Sequence, residues 1–414
     1  MNGMRVHLAS RAALVAAGLL FIAAVVIAIL SGDSLRYPDE IDYHAIALNL
    51  AHHGEFAVEK GVPTAIRPPG FPFILRGLYV LGEHPVLAKL LNAFALGITS
   101  LLLGRLALAG SRSKGAGVGS WIAPVLMLGY PLFLYTAGTL YPQIVGTALF
   151  AGVVTLLVTC PGRVGAGVLG GVLYGLLILI VPSFLLFAGL VPILCAWADW
   201  KSGFRWYARA LVMLAVAVTL VVPWTIRNYS QFHAIIPVSA NGGLNLLLGN
   251  SPNTTATSGV NVDISAYMKQ TEEFTELGRD DFLKHCAVEY IKAHPGEAAW
   301  LYVRKVAGYF HFRNKLFTQG EGSVLRDLVM AASYYPLLLL AVGRLFWAKR
   351  LPLTITEVVI YVIYFGNALL SAIFFTRIRF RIPFDALLIV LAALAIELIV
   401  VEFRKRQGGQ PPEA

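Results

Sequence analysis

The sequence predicts an all-α, polytopic membrane protein: a bundle of about ten transmembrane helices with two long outer loops that carry interfacial helices of their own. Three observations lead there. Of 414 residues, 57% are hydrophobic and only 14% charged, whereas a soluble domain is about half apolar and about a quarter charged. Apolar runs of spanning length recur along the chain, and the mean hydropathy is +0.70. Basic residues sit singly at the ends of those runs, where they orient helices. For that reason the formal net charge of +10 does not mark a nucleic-acid binder, which would gather its cations on one continuous face.

Residues 1–11 are basic, with Arg5 and Arg11, and residues 12–30 are almost uninterruptedly apolar. A secretory signal has a shorter apolar core and a small-residue cleavage site, so this span reads as a retained first helix with its amino end in the cytoplasm. Residues 31–84 form the first outer loop. Within it, 39–53 can form a short helix with Ile41, Ala45 and Leu48 on an interfacial face, and Gly54 is a stop signal. Residues 85–108 cross back toward Arg105, Arg112 and Lys114. The pair 121–136 and 143–158 is joined by a tight outer turn at 138–142, and Arg163 marks the next inner turn. The pair 168–181 and 183–197 is interrupted by Pro182, with Lys201, Arg205 and Arg209 inside. Gly167, Gly171 and Gly175 recur at four-residue spacing there, a pattern that lets helices approach closely.

Residues 211–226 lead out to the second long loop, 227–326. It carries a helix at 279–294, stopped by Pro295-Gly296, and a further helix at 298–310 rimmed with Trp300, Tyr302, Tyr309 and Phe310, which suit the membrane interface. Residues 328–346 return inward, 354–375 go out and 382–401 come back. Both termini therefore lie inside. The chain divides into a transmembrane region 1–226 that holds the first loop, the second loop 227–326, C-terminal helices 327–401 and a disordered tail 402–414. Cys160 and Cys195 lie in or beside apolar spans and only Cys286 falls in a long polar loop, so no structural disulfide is expected.

Arginines on the outer side run against the orientation rule and need a reason. Asp39, Glu40 and Asp42 follow Pro38 at the start of the first-loop helix. Helix capping alone explains acidic residues there. Three carboxylates just above a membrane also suit a general base, or a divalent cation. All three lie within one helical turn, so all three stand as candidates. Arg67 precedes Pro68-Pro69-Gly70, and the two prolines present its planar fork with little backbone freedom left to lose, in a form suited to a phosphate. Arg227 is a second phosphate candidate, between the interface anchors Trp224 and Tyr229. Arg377, Arg379 and Arg381 alternate, so an extended segment would point all three to one side, where they would stabilise a leaving phosphate or bind anionic headgroups. His44, His52 and His53 do not read as a metal site, because adjacent histidines on a helix point apart. No Walker loop, nucleotide fingerprint or nucleophile elbow is present, so no bound nucleotide is expected to supply energy.

These residues resemble the polytopic GT-C glycosyltransferases that use lipid-phosphate sugars, in the branch related to protein O-mannosyltransferases (family 39) and to the aminoarabinose transferase of lipid A. The likeness rests on Asp39-Glu40 with Tyr43, on Arg67-Pro68-Pro69-Gly70-Phe71-Pro72, and on Pro223-Trp224-Thr225-Ile226-Arg227-Asn228-Tyr229 continuing through residues 237–245 and 249–252. Residues 290–295 and 379–383 continue it, so the ordered set covers most of the chain. The resemblance implies a cell inner membrane protein that transfers a sugar from a polyprenyl-phosphate carrier to a periplasmic acceptor, with inversion at the anomeric carbon. It implies Asp39 as the catalytic carboxylate, Arg67 as the phosphate contact with Arg379 or Arg381 sharing that role, and Tyr43 as part of the substrate site. No nucleotide or redox cofactor is required; a divalent cation at the acidic loop is compatible with it. Gln143 stands where many members have an acidic residue, and Val181-Pro182 where arginine-proline is common; both departures bear on which donor or acceptor is used.

The competing classes are a flippase or transporter of the lipid-linked sugar, and a surface-polysaccharide ligase or polymerase. A transporter of this kind often has two similar halves with helices broken at the midplane. This chain has no internal repeat, and its two long loops are unequal.

Overall fold

The computed structural model describes residues 2–112, 117–199, 205–313 and 323–406. Lys114, Lys201, the tail at 407–414 and the second-loop stretch 314–322 lie outside the described residues.

Helix α1 (Asn2–Ser31) is followed by two short first-loop helices, α2 (Pro38–His52) and α3 (Gly70–Leu78), and α4 (Val86–Gly110) runs back. Next come α5 (Gly119–Leu128) and α6 (Pro131–Ala137), bent by 60° where Gly129 ends one helix and Pro131 opens the next. After α7 (Gln143–Thr159) and α8 (Val164–Ile180), Pro182 opens a 3₁₀ stretch, Pro182–Leu190, that leads into α9 (Val191–Ala198). The second loop follows α10 (Arg205–Phe232) and contains α11 (Gly242–Gly249), α12 (Ser265–Lys269), α13 (Glu276–Ala293) and α14 (Pro295–Tyr309). The chain closes with α15 (Val324–Trp347), α16 (Ile355–Ser371) and α17 (Ile378–Arg406).

Among the described residues five helices, in α1, α4, α10, α15 and α17, are long and apolar enough to cross a membrane, and the bent pair α5–α6 makes a sixth if it counts as one span. All ten apolar segments read from the sequence are helical. Four of them, α7, α8, Pro182–Ala198 and α16, are shorter apolar helices, so the count of ten rests on including them.

Packing follows the sequence pattern. A Cβ built on Gly171 would sit 2.6 Å from Met213 O, and one on Gly167 would sit 3.0 Å from Arg209 O, so the glycine face of α8 is what lets α10 lie against it. Helix α17 runs through the centre: from Ile382 to Ala395 it is almost wholly buried, against α4, α5, α7, α15 and α16. On α2, Tyr43, Ile46, Ala47 and Leu50 face the protein, while Ile41 on the expected interfacial face is 55% exposed. Tyr43 and Ala47 pack with Phe71 and Leu75 of α3, and Ile46 and Leu50 pack with Trp224 of α10.

Three boundaries differ from expectation. Helix α10 continues to Phe232, because Trp224 Nε1 and Asn228 Nδ2 bind the carbonyls of Val238 and Ile236 and hold the emerging chain along the helix. Pro295 starts α14 directly behind α13, since proline in a first turn has no helical N–H to lose. Helix α17 runs through Glu402 to Arg406.

Candidate functional site

The site is built from three separate parts of the chain. Pro38 opens α2 with Tyr37 extended before it, which sets Asp39 and Asp42 one turn apart on one face. Arg67 lies at a bend between the loop residues 64–66 and Pro68-Pro69. Gly70 then opens α3 against the end of α8, where an added Cβ would come within 2.9 Å of the Leu179 backbone. Arg379 sits in the first turn of α17.

These parts converge on Asp39. Arg67 Nη2 donates to Asp39 Oδ1 and to Asp42 Oδ2, both at 2.6 Å, and Arg67 Nε donates to the same Asp42 oxygen at 3.0 Å. Arg379 Nη1 donates to the other Asp39 oxygen, Oδ2, which also accepts from Tyr141 OH at 3.4 Å. Each oxygen of one carboxylate therefore faces a different guanidinium. Arg67 stands over the Tyr43 ring at 5.8 Å and Arg379 over Tyr141 at 5.0 Å. All three charged side chains keep some solvent access, 23% for Asp39, 17% for Arg67 and 26% for Arg379. Burial opposes the Asp39 charge, but Arg379 and Arg67 outweigh it and hold the carboxyl below its ordinary range. Burial pushes the Tyr43 hydroxyl up to about 12, so that residue is a neutral wall of the site.

The other sequence candidates occupy different places. Glu40 is fully buried and turned away from the arginines: one oxygen accepts from Arg36 N at 2.5 Å, the other from Leu140 N at 3.1 Å. It ties the first loop to the turn before α7. The extended segment expected at 377–381 is not found, and its three arginines diverge. Helix α17 begins at Ile378 because Arg381 and Asp385 pair at helical i, i+4 spacing while Ile382 and Phe384 pack inward. Arg381 is 1% exposed, donates to the carbonyls of Tyr309 and His311, and lies 3.8 Å over the Tyr334 ring. It braces the end of α14 against α17 and does not reach the Asp39 cluster. Arg377 is half-buried against Gly259; burial first, then the like charge of Arg379, pushes it down to about 10.

Arg227 lies at the seam between the two loops. Its Nη1 donates to Thr64 O at 2.9 Å and its Nη2 to Phe56 O at 3.2 Å, while the guanidinium stacks over Trp224 at 4.8 Å. It also lines a cavity of about 560 Å³ at the far end of α2, with Arg76, Phe56, Phe73 and Trp224.

Sequence reasoning missed Tyr141, which lay inside a segment read only as a tight turn, and Glu276, whose carboxylate reaches Thr64 and Ala65 from the second loop. Among the described residues no group of three or more His, Cys, Asp or Glu side chains is arranged to hold a metal ion. His44 pairs with Tyr79 and His52 with Glu83. The acidic loop does not fit a divalent cation as it stands, because guanidinium N–H groups take both oxygens of Asp39 and Oδ2 of Asp42, and Glu40 faces backbone donors.

No protein-family model and no curated protein sequence matches the chain. Solved structures do. ArnT from Cupriavidus metallidurans bound to undecaprenyl phosphate matches with TM-score 0.54 and 16% identity, over 94% of this chain and 63% of that one. The archaeal oligosaccharyltransferase AglB from Archaeoglobus fulgidus, in complex with an inhibitory peptide and a dolichol-phosphate, matches with TM-score 0.52 and 15% identity, over 95% of this chain and 51% of that one. The apo form of the Archaeoglobus fulgidus oligosaccharyltransferase gives TM-score 0.54 at 16% identity, over 96% and 51%. At these identities the likeness is one of fold: the chain has the architecture of the polytopic GT-C bundle, as its resemblance led us to expect. It spans less than two thirds of the length of each of these structures.

Proposed function

We propose that this chain is a membrane glycosyltransferase that moves a sugar from a polyprenyl-phosphate carrier to a periplasmic acceptor, with the first loop, 31–84, as its catalytic segment. The observation that carries the reading is Asp39 held between Arg67 and Arg379, a carboxylate and two cationic forks at one partly open position. Phosphate competes with carboxylate for a guanidinium, since both present paired oxygens to the same fork. When the carrier phosphate takes Arg67 and Arg379, Asp39 gives up the cations that depress its basicity and is left beside the reacting centre.

The reaction then balances without a further reagent. The acceptor O–H or N–H attacks the anomeric carbon, the bond from that carbon to the phosphate oxygen breaks, and the acceptor proton passes to Asp39. The carrier phosphate leaves with its charge stabilised by the arginines. The configuration at carbon inverts because attack comes from the face opposite the leaving group. The cavity lined by Arg76, Arg227 and the aromatics Phe56, Phe73 and Trp224, at the far end of α2, offers an amphipathic wall to a part of the substrate away from the phosphate, and Arg377 adds positive field from the α17 side. We place both termini in the cytoplasm and the loop face at the outer side of the inner membrane.

The test uses purified protein in lipid vesicles with a panel of radiolabelled polyprenyl-phosphate sugars, and Asp39→Asn in parallel. Transfer or release of sugar by the wild type, lost in the variant while donor binding persists, supports the reading. Labelled lipid crossing the bilayer only in the presence of protein, without any turnover, replaces it with a flippase.

A further inference from the structure

The three residues ahead of Arg67 have every backbone polar group taken; three of the six partners come from the second loop and a fourth, Arg227, from the end of α10. Thr64 N donates to Phe56 O at 3.2 Å, and Ile66 N to Thr64 Oγ1 at 3.1 Å. Thr64 O accepts from Arg227, Ala65 O from Ala240 N at 2.8 Å, and Ile66 O from Asn241 Nδ2 at 3.3 Å. The last group, Ala65 N–H, donates to Glu276 Oε1 at 2.8 Å, and Thr64 Oγ1 donates to Glu276 Oε2 at 2.6 Å. Thr64 and Ala65 are both buried, so an unpaired group here has little access to water.

Glu276 suits this task. It is the first residue of α13, capped by the Thr275 hydroxyl, so its carboxylate lies where the helix stabilises negative charge. Helix α13 is anchored in turn by Leu283 and Ala287 against Leu247 of α11. A rigid element of the second loop thus reaches 211 positions back along the chain to grip the segment that carries the arginine.

We propose that Glu276 is a positioning residue: through Thr64 and Ala65 it fixes Arg67 over Asp39 and Asp42, so the phosphate-binding fork is set only when the second loop is docked on the first. The inference rests on the proposed role of Arg67 in donor binding. Without Glu276 the buried Ala65 N–H loses its acceptor, residues 64–66 gain other paths, and Arg67 spends less time in the geometry that Pro68-Pro69 otherwise preserves.

The experiment compares full-length wild type, Glu276→Ala, Glu276→Gln, Arg67→Ala and the Arg67→Ala/Glu276→Ala double variant in lipid nanodiscs. Radiolabelled undecaprenyl phosphate is the probe, and amide exchange is followed across residues 62–68. Glu276→Ala should bind about tenfold more weakly, and Glu276→Gln, which keeps the acceptor for Ala65, should stay within about twofold of wild type. The alanine change should add no further loss once Arg67 is gone, and exchange at 64–67 should be faster in Glu276→Ala. An equal loss in the Arg67→Ala background, or unchanged exchange at 64–67, overturns the proposal. If wild type binds no undecaprenyl phosphate, the donor reading fails, and the exchange at 64–67 alone decides whether Glu276 positions the segment.

Discussion

Arg379 and Asp39 stand 340 positions apart in sequence and form an ion pair, so the last helix of the bundle completes a cluster that the first loop begins. Arg379 and Arg67 together hold the Asp39 carboxyl low against the opposing effect of burial. The sign of a perturbation follows: removing Arg379 leaves burial less opposed, and the Asp39 pKa rises.

Arg379→Ala should therefore move the acid limb of the pH–rate profile for sugar transfer to higher pH, and should lower kcat/KM by about a hundredfold through loss of a charge-stabilising donor. An acid limb that stays in place in this variant would separate Asp39 from the rate.

Glu40→Gln should act on stability. The buried carboxylate accepts two backbone N–H groups, and an amide presents N–H to one of them. A loss of about 1–3 kcal/mol is expected, read as a lower thermal midpoint in detergent, with KM for the donor unchanged in the folded fraction.

Lys305 is 1% exposed and its ammonium is held by Gly249 O at 3.0 Å, Asn250 Oδ1 at 3.2 Å and Phe374 O at 2.8 Å. Burial pulls its pKa from 10.5 down to about 8. Between those two values the unfolded chain binds the proton and the folded chain does not, so this group makes stability rise with pH across that window and lose the gain as pH falls toward 8. Thermal midpoints of wild type and Lys305→Met measured from pH 7 to 10.5 should diverge in that direction.

Arg381→Ala leaves Asp385 buried without its cation, and breaking such a pair is expected to destabilise by about 3–5 kcal/mol. The yield of folded protein should fall far more than in Arg379→Ala. Donor affinity in whatever folds should stay close to wild type, which distinguishes a brace from a ligand.

The helices were legible because apolar runs of bilayer length leave few alternatives, and the glycine repeat of α8 marked a close helix contact in advance, though not its partner, α10. Asp39 and Arg67 were legible because proline fixes each locally, Pro38 at the start of α2 and Pro68-Pro69 after the arginine. The alternating arginines were misread: Asp385, four residues after Arg381, was the signal for a helix, and a period of two in charge outweighed it. Glu276 and Lys305 could not be read as they function. Locally one is an acidic first-turn residue and the other a lone lysine on an aromatic-rimmed helix; their partners lie in segments that only tertiary packing brings near.

The central position of α17 has a consequence for biogenesis. As the chain leaves the ribosome, the first loop is made long before Glu276, and Arg379 follows only with the last helix. Until α17 has inserted, Asp39 and Arg67 lack the second cation that completes their geometry. A membrane intermediate stalled anywhere before that helix carries a first loop whose Asp39 is paired without Arg379, and on the function proposed above it would be inert toward lipid-linked substrates in the bilayer around it.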